Sequence, residues 1–299
     1  MKVFVTGATG VVGRPLVPML KAAGHDVVAL GRSSAKRAWL VEQGARAVAV
    51  DRYDAECLAR AMSGADAVID LTTHVPPLHR AGTRRAFREH DWLRDSGTRA
   101  VVEAAERTRV PRLIRDSVTF LHADGGDQWI DERWPLDPGR HLATTEAGER
   151  HVQGFAGEGV VLRLGLLYGP ESSHTLGTVR LARSLRMSPV LGPPDAYLTS
   201  LHTDDAAAAV TAALHAPAGL YDVGDNEPLT RHDLVCAQAA ALGFKRLRRP
   251  PAAAGRGETA RALTRSHRVS TTAFRDATGW SPAHKSASDG WQHVASRLP

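Results

Sequence analysis

Hydrophobic and polar positions alternate in blocks along the chain. Short, continuous apolar runs occupy residues 3–6, 26–30, 47–50, 67–71, 112–116 and 160–164. Between them lie stretches with apolar residues at helical spacing, at 14–23, 35–43, 56–62, 92–107 and 141–155. A strand that is apolar on both sides must be covered on both faces, and strands separated by helices are joined by crossover connections. The pattern predicts an α/β fold, a Rossmann-type doubly wound parallel sheet. Residues 1–170 read as a dinucleotide-binding domain. Beyond residue 170 the alternation breaks, most clearly at about 226–268, and 171–200 with 226–299 reads as a smaller C-terminal substrate-binding lobe. Segment 201–225 has a helix start at Thr203-Asp204-Asp205 and an apolar LYDVG run, and is expected to return to the main sheet.

Bulk properties narrow the setting. The chain has 299 residues, 43% of them hydrophobic, enough to bury a core in one large domain or two small ones. No apolar run approaches the ~20 residues of a membrane span. The start, MKVFVTGATG, enters an apolar strand at once and reads as no signal peptide. Cys57 and Cys236 fit neither a disulfide frame nor zinc spacing, so no metal is expected. The formal charge is +6. Its densest basic stretch, KRLRR at 245–249, runs into PPAAAGRGE and reads as a solvated loop. Nucleic-acid binding needs a basic face on a recognisable fold or interleaved aromatics, and neither is visible. A cytoplasmic enzyme acting on a small molecule, as monomer or homodimer, is the expectation.

The first βα turn reads TGATGVVG, with Gly7, Gly10 and Gly13 spaced GxxGxxG. Glycines there permit a tight turn, close approach of backbone to a pyrophosphate and tight helix packing, while the helix N-terminus favours the anion. The end of the second strand separates NAD from NADP, because an acid there suits a free ribose 2′-hydroxyl. This chain has Leu30-Gly31-Arg32-Ser33-Ser34 and no acid. The Arg32 fork suits a 2′-phosphate, so NADPH (NADP+) is the expected cofactor. The candidate contacts are Gly7, Thr9, Gly10, Val11, Val12, Arg32, Ser33, Ser34, Asp51, Arg52, Leu71, Thr72, Thr73 and Leu166.

On the glycine loop, Asp51-Arg52-Tyr53-Asp54, Gly97-Thr98, Asp131-Glu132 before Pro135-Leu136, Leu162-Arg163 through Tyr168-Gly169-Pro170, Leu201 to Asp205 and Gly279-Trp280-Ser281-Pro282, the chain resembles the extended short-chain dehydrogenases/reductases. The likeness runs nearly end to end and in order. It implies the Rossmann fold, a nicotinamide cofactor and a catalytic tyrosine–lysine pair four residues apart. That pair is missing. The stretch PGRHLATTEAGER puts His141 at the tyrosine position and Thr145 at the lysine position. No tyrosine lies between Tyr53 and Tyr168 and no lysine between Lys36 and Lys245, so no other frame restores it.

Some antibiotic-pathway reductases of polycyclic aromatic polyketide ketones share this trait. The resemblance therefore implies an atypical NADPH-dependent ketoreductase of antibiotic biosynthesis. A positioned acid contributes ~10²–10⁴-fold, and orientation alone lowers a barrier by ~7–11 kcal/mol, so reduction can survive without the pair. Candidate catalytic residues are Ser117, His141 and His122, with His74 facing cofactor or substrate as a further option. The proton can instead come from a phenol or enol hydroxyl beside the substrate carbonyl. The alignment leaves open whether Ser117 or Val118 holds the active-hydroxyl position, and whether Arg94 faces the pocket or solvent. A non-catalytic NADP(H)-binding sensor stays open as the alternative.

Overall fold

The computed structural model describes residues 1–50, 54–76, 84–251, 254 and 258–298; the side chains of residues 84, 141, 258 and 259 stand outside that description. Candidates Asp51 and Arg52 therefore lie outside the described residues, and His141 enters only as backbone. The chain opens with β1 (Lys2–Thr6), α1 (Gly13–Ala22), β2 (Asp26–Leu30), α2 (Ser34–Glu42), β3 (Arg46–Val48), α3 (Ala55–Met62) and β4 (Ala67–Asp70). Then come α4 (Arg84–Trp92), a π-helical turn (Leu93–Gly97), α5 (Thr98–Arg107), β5 (Arg112–Val118), β6 (Trp129–Ile130), α6 (Gly139–Gln153), β7 (Glu158–Leu164) and β8 (Leu166–Tyr168). The remainder holds α7 (Ser173–Leu185), β9 (Tyr197–Leu198), β10 (Ser200–His202), α8 (Thr203–Ala212), β11 (Gly219–Val223) and β12 (Leu229–Thr230). It ends with α9 (Arg231–Ala241), α10 (Glu258–Thr264), β13 (Arg268–Val269), α11 (Thr272–Thr278) and α12 (Ala287–Ser296).

The main sheet has seven strands in the order β11-β7-β5-β4-β1-β2-β3, every neighbouring pair parallel. This is the doubly wound sheet the apolar pattern predicts. One core cluster covers the face that carries Val3, Val5 and Ile69 with Leu16, Val17 and Leu20 of α1 and the alanines of α8. The other joins Phe4, Val68 and Leu113 to Leu58 and Met62 of α3 and to Val101, Ala104 and Ala105 of α5. The buried positions of α1, Gly13, Leu16, Val17 and Leu20, follow the i, i+3, i+4, i+7 stripe of a helix with one apolar side. Among the described residues no helix is long and apolar enough to cross a membrane.

Two boundaries differ from the pattern. The helix expected at 92–107 begins earlier, at Arg84, and is interrupted by the π turn. There Thr98 Oγ1 donates to the carbonyls of Arg94 (3.0 Å) and Leu93 (3.3 Å), and a Cβ on Gly148 of α6 would stand 2.3 Å from the Arg94 oxygen. A π turn adds a residue to the helical ladder, which apolar periodicity does not register. Edge strand β3 stops at Val48 rather than at residue 50. A third cluster gathers Phe120, just after β5, with Val179, Leu198, Leu234, Val235 and Trp291 from α7, β9, α9 and α12.

Candidate cofactor and active site

Strand order reverses between β1 and β4, and ligands of doubly wound sheets bind in the crevice outside such a point. The glycine loop sits there. Gly7 has φ +67°, and a Cβ on it would lie 2.4 Å from the Leu71 carbonyl oxygen at the end of β4. A Cβ on Gly13 would lie 2.4 Å from the Gly7 oxygen. The loop is therefore pressed onto the sheet end and onto α1, and closes with Gly10 N–H donating to the Gly7 carbonyl at 2.8 Å. Val12, at the N-cap of α1, supplies no side-chain cap, and the first turn has no acid. Arg14 in this first turn pairs with exposed Glu171 at 3.3 Å, while Thr9, Gly10 and Val11 reach the surface. That cradle fits the pyrophosphate of a dinucleotide.

At the end of β2, Arg32, Ser33 and Ser34 are exposed. The Ser33 hydroxyl caps α2 by accepting from Lys36 N at 3.3 Å. Arg32 Nη1 lies 3.4 Å from Glu89 Oε1 of α4, both side chains about half exposed. A solvated pair of this kind contributes little, and a phosphate can displace it. Arg37 is held by donating to the Gly31 carbonyl at 3.0 Å.

A chain of polar groups, buried at Thr6, Asp70, His90 and Arg115, half-buried at Thr72 and exposed at Thr73, runs along the carboxyl ends of the central strands. Thr72 Oγ1 donates to Thr6 Oγ1 at 2.8 Å, and Thr6 Oγ1 donates to Asp70 Oδ1 at 2.5 Å. Asp70 in turn pairs with Arg115, each side chain 2% exposed. Thr73 Oγ1 lies 3.3 Å from Nδ1 of buried His90, whose pKa burial pushes down to about 3, leaving it neutral. His74 is exposed, 3.9 Å from Glu89. Leu166 is half-buried and donates its N–H to the Thr199 carbonyl at 2.9 Å.

The catalytic candidates occupy different surroundings. Ser117 is buried, and its hydroxyl donates to Glu149 Oε1 at 2.5 Å. Glu149 also takes Nε (2.9 Å) and Nη2 (2.7 Å) of buried Arg163, so Ser117 belongs to a closed α6–β7 ion-pair cluster. Val118 is the partly exposed residue at the end of β5. His122 is wholly buried, its Nε2 2.9 Å from Asp222 Oδ2 on β11, and its carbonyl accepts from His267 Nε2 at 3.0 Å. These contacts engage Ser117 and His122 in the packing between elements. Thr145, at the lysine position, is 2% exposed, and its Oγ1 has no hydrogen-bond partner among the described residues. It lies one turn before Glu149, on the α6 face turned to the sheet. Arg94 is buried and makes a two-pronged contact with Asp116, Nη1 to Oδ1 at 3.2 Å and Nη2 to Oδ2 at 3.1 Å, besides reaching the Asp116 carbonyl at 2.6 Å.

Pattern reading did not register Asp70, Arg115, Asp116, Glu149 and Arg163 as site-shaping residues. Arg115-Asp116 inside an apolar strand was the available signal, since charges are seldom buried unless paired. Of the apolar residues in segment 171–200, Leu185 is 52% exposed, while Leu176, Leu181, Met187, Leu191 and Tyr197 are half-buried.

Comparison with known proteins accords with this geometry. A family model described as NAD(P)H-binding matches residues 7–184. The 3-diazoavenalumate denitrifying reductase of a Streptomyces species is 35% identical over 306 residues, covering 97% of this chain and 99% of that protein. The 4-hydroxy-2-methyl-3-oxo-4-farnesyl-3,4-dihydroquinoline-1-oxide ketoreductase of Stigmatella aurantiaca is 31% identical over 185 residues, 59% of this chain and 53% of that one. Among solved structures, the human epimerase family protein SDR39U1 with NADPH superposes with a TM-score of 0.83 at 21% identity, covering 100% of both chains. The chain belongs to the NAD(P)H-binding family, with the fold of the extended short-chain dehydrogenases/reductases.

Proposed function

We propose that this NAD(P)H-binding oxidoreductase uses NADPH to replace the diazo group of an aromatic substrate by hydrogen, in a secondary-metabolite pathway. One observation carries the reading. The residues at the tyrosine and lysine positions are His141 and Thr145, and the hydroxyl position falls on Ser117, buried against Glu149, or on Val118, while the glycine loop is intact. Reduction of a ketone leaves an alkoxide that must take a proton; loss of a diazo group does not. With the substrate in its aryl diazonium form, bound NADPH would supply the hydride: the carbon–nitrogen bond would break with its electron pair leaving as N2 and a carbon–hydrogen bond would form, giving NADP+ with no proton consumed. A relative named for denitrifying reduction of a diazo compound, alike from end to end, supports this substrate class.

The chain's own residues then have three tasks. Gly7, Gly10 and the α1 amides hold the pyrophosphate, and Arg32 favours the 2′-phosphate. Thr72 and Thr73, fixed through Thr6, Asp70 and His90, shape the crevice floor. The third cluster and its helices form the substrate lobe and exclude water from the reacting carbon. Ketone reduction, with the proton passed from a neighbouring substrate hydroxyl, is the second reading, supported by the likeness to a ketoreductase over part of the chain.

The test uses NADPH deuterated at the transferred position, with an ortho-hydroxyaryl diazonium acid and, separately, an ortho-hydroxyaryl ketone. N2 release with one deuterium on the ring carbon is the expected result. Oxidation of NADPH by the ketone alone, with deuterium on a carbinol carbon, would replace the first reading by the second. Turnover of neither, with NADPH bound, would favour a sensor.

A further inference from the structure

Three histidines far apart in sequence meet beside the third cluster. His202 closes β10, His284 follows the Gly279-Trp280-Ser281-Pro282 turn, and His293 lies on α12. One ring nitrogen from each lies within 4.8 Å of the others. Their ring centroids are 4.1 Å (His202–His284), 5.2 Å (His202–His293) and 5.1 Å (His284–His293) apart.

The supporting contacts orient two of these rings. His202 Nδ1 accepts the Asp204 N–H at 3.2 Å as the cap of α8, which leaves Nε2 buried with no partner among the described residues. His284 Nδ1 lies 2.8 Å from Asp205 Oδ2, and the same carboxylate accepts the backbone N–H groups of Ala283 (2.8 Å) and His284 (3.1 Å). A carboxylate holding Nδ1–H leaves the Nε2 lone pair for a ligand, which is the usual outer shell of a metal-bound histidine. The Tyr168 ring, 5.4 Å from His202, brings a second buried polar atom without a described partner, its hydroxyl.

We propose that His202, His284 and His293 form a site for a divalent transition ion of the zinc class, with Asp205 as its outer-shell support. Zinc–imidazole bonds of about 2.1 Å need ligand nitrogens roughly 3.4 Å apart in a tetrahedron, so small side-chain rotations close the observed spacing. The ion would tie α12 and the 279–286 turn to the start of α8. Its role is to hold the C-terminal segment in place; hydride transfer does not call on it.

The test uses the full, untagged chain stripped with a chelator. Calorimetry with Zn2+ and visible absorption with Co2+ are expected to show one ion per chain in a four-coordinate spectrum, and added Zn2+ should raise the melting temperature. His293→Ala and His284→Ala should each weaken Zn2+ binding roughly tenfold or more, since even outer-shell losses cost 10–100-fold. If a variant fails to fold by circular dichroism, His202→Asn, which keeps a capping side chain, replaces it. Cys236→Ser should leave binding unchanged; it removes the competing exposed pair on α9, where Cys236 Sγ lies 3.6 Å from His232 Nε2. A Co2+ spectrum of the hydrated ion, binding unaltered in His293→Ala, or binding lost only in Cys236→Ser would overturn the proposal.

Discussion

The hydroxyl of Ser117 donates to Glu149 at 2.5 Å, inside a cluster that Arg163 completes, and all three side chains are buried. A hydroxyl held in this way supports the α6–β7 packing. Ser117→Ala should keep NADPH oxidation within about threefold of wild type while losing about 1–2 kcal/mol of stability, because buried Glu149 Oε1 loses one of its two donors and keeps Arg163 Nε. Steady-state kinetics and chemical denaturation check the two halves separately. A collapse of kcat with full cofactor binding would restore Ser117 as a catalytic group.

On the proposed reading, cofactor preference is carried by Arg32, whose guanidinium lies 3.4 Å from Glu89. Removing the guanidinium in Arg32→Ala should cost about 1.5–3 kcal/mol of NADPH binding, roughly 10–100-fold, with NADH affinity nearly unchanged. Glu89→Gln should act the other way, by releasing Arg32 and removing a negative charge near the phosphate. Titrations of both cofactors at low and moderate salt measure this; equal losses for NADH and NADPH would sink it.

Thr145 carries a buried hydroxyl without a described partner, at the position where the resemblance to the extended short-chain dehydrogenases/reductases implies a lysine that holds the nicotinamide ribose. Thr145→Val keeps the shape and removes the hydroxyl. The free protein should be unchanged or about 1 kcal/mol more stable, and NADPH binding about 1 kcal/mol weaker. Unaltered NADPH affinity would show that the hydroxyl has no part in holding the ribose.

Gly7 tolerates no side chain, because φ is +67° and a Cβ would strike the Leu71 carbonyl. Gly7→Ala should displace the loop from the end of β4 and abolish measurable cofactor binding, with a stability loss of about 1–3 kcal/mol. Gly24→Ala is the comparison: φ is +80° but a Cβ there meets nothing within 4 Å, so strain appears without loss of binding. Cofactor titration of the two variants distinguishes close approach from strain.

Buried Asp225 has its pKa pushed up to about 8 by burial, and one carboxylate oxygen lacks a described partner. It is protonated in the folded chain at neutral pH and ionised in the unfolded one. Between its unfolded pKa near 4 and about 8, the unfolded state binds fewer protons, so this group lowers stability as pH rises. Burial lowers His90 to about 3 and His267 to about 4, so they act in the opposite sense below about 6.5, where unfolded histidine takes up the proton. Above about pH 7 the histidine effect fades, and Asp225 then contributes a fall in stability of at most about 1.4 kcal/mol per unit, diminishing as the pH nears 8. Asp225→Asn should remove that component of the slope in denaturation curves across this window; an unchanged slope would refute it.

What the sequence by itself determined was the sheet and the tight glycine loop at its switch point. Runs such as 3–6 and 67–71 are apolar on both faces and can be satisfied only between two helical layers, and GxxGxxG between a strand and a helix has few other uses. The absence of a tyrosine and a lysine at the family positions was equally plain, because it is a property of the chain and needs no coordinates. Tertiary structure alone decided what the polar residues do. Arg94 meets Asp116 and Ser117 meets Glu149 over separations of 22 and 32 residues, where burial turns a charge into half of a pair. His202, His284 and His293 converge for the same reason: local periodicity reports which side of an element is apolar, while the partner of a buried polar atom is set by how elements pack.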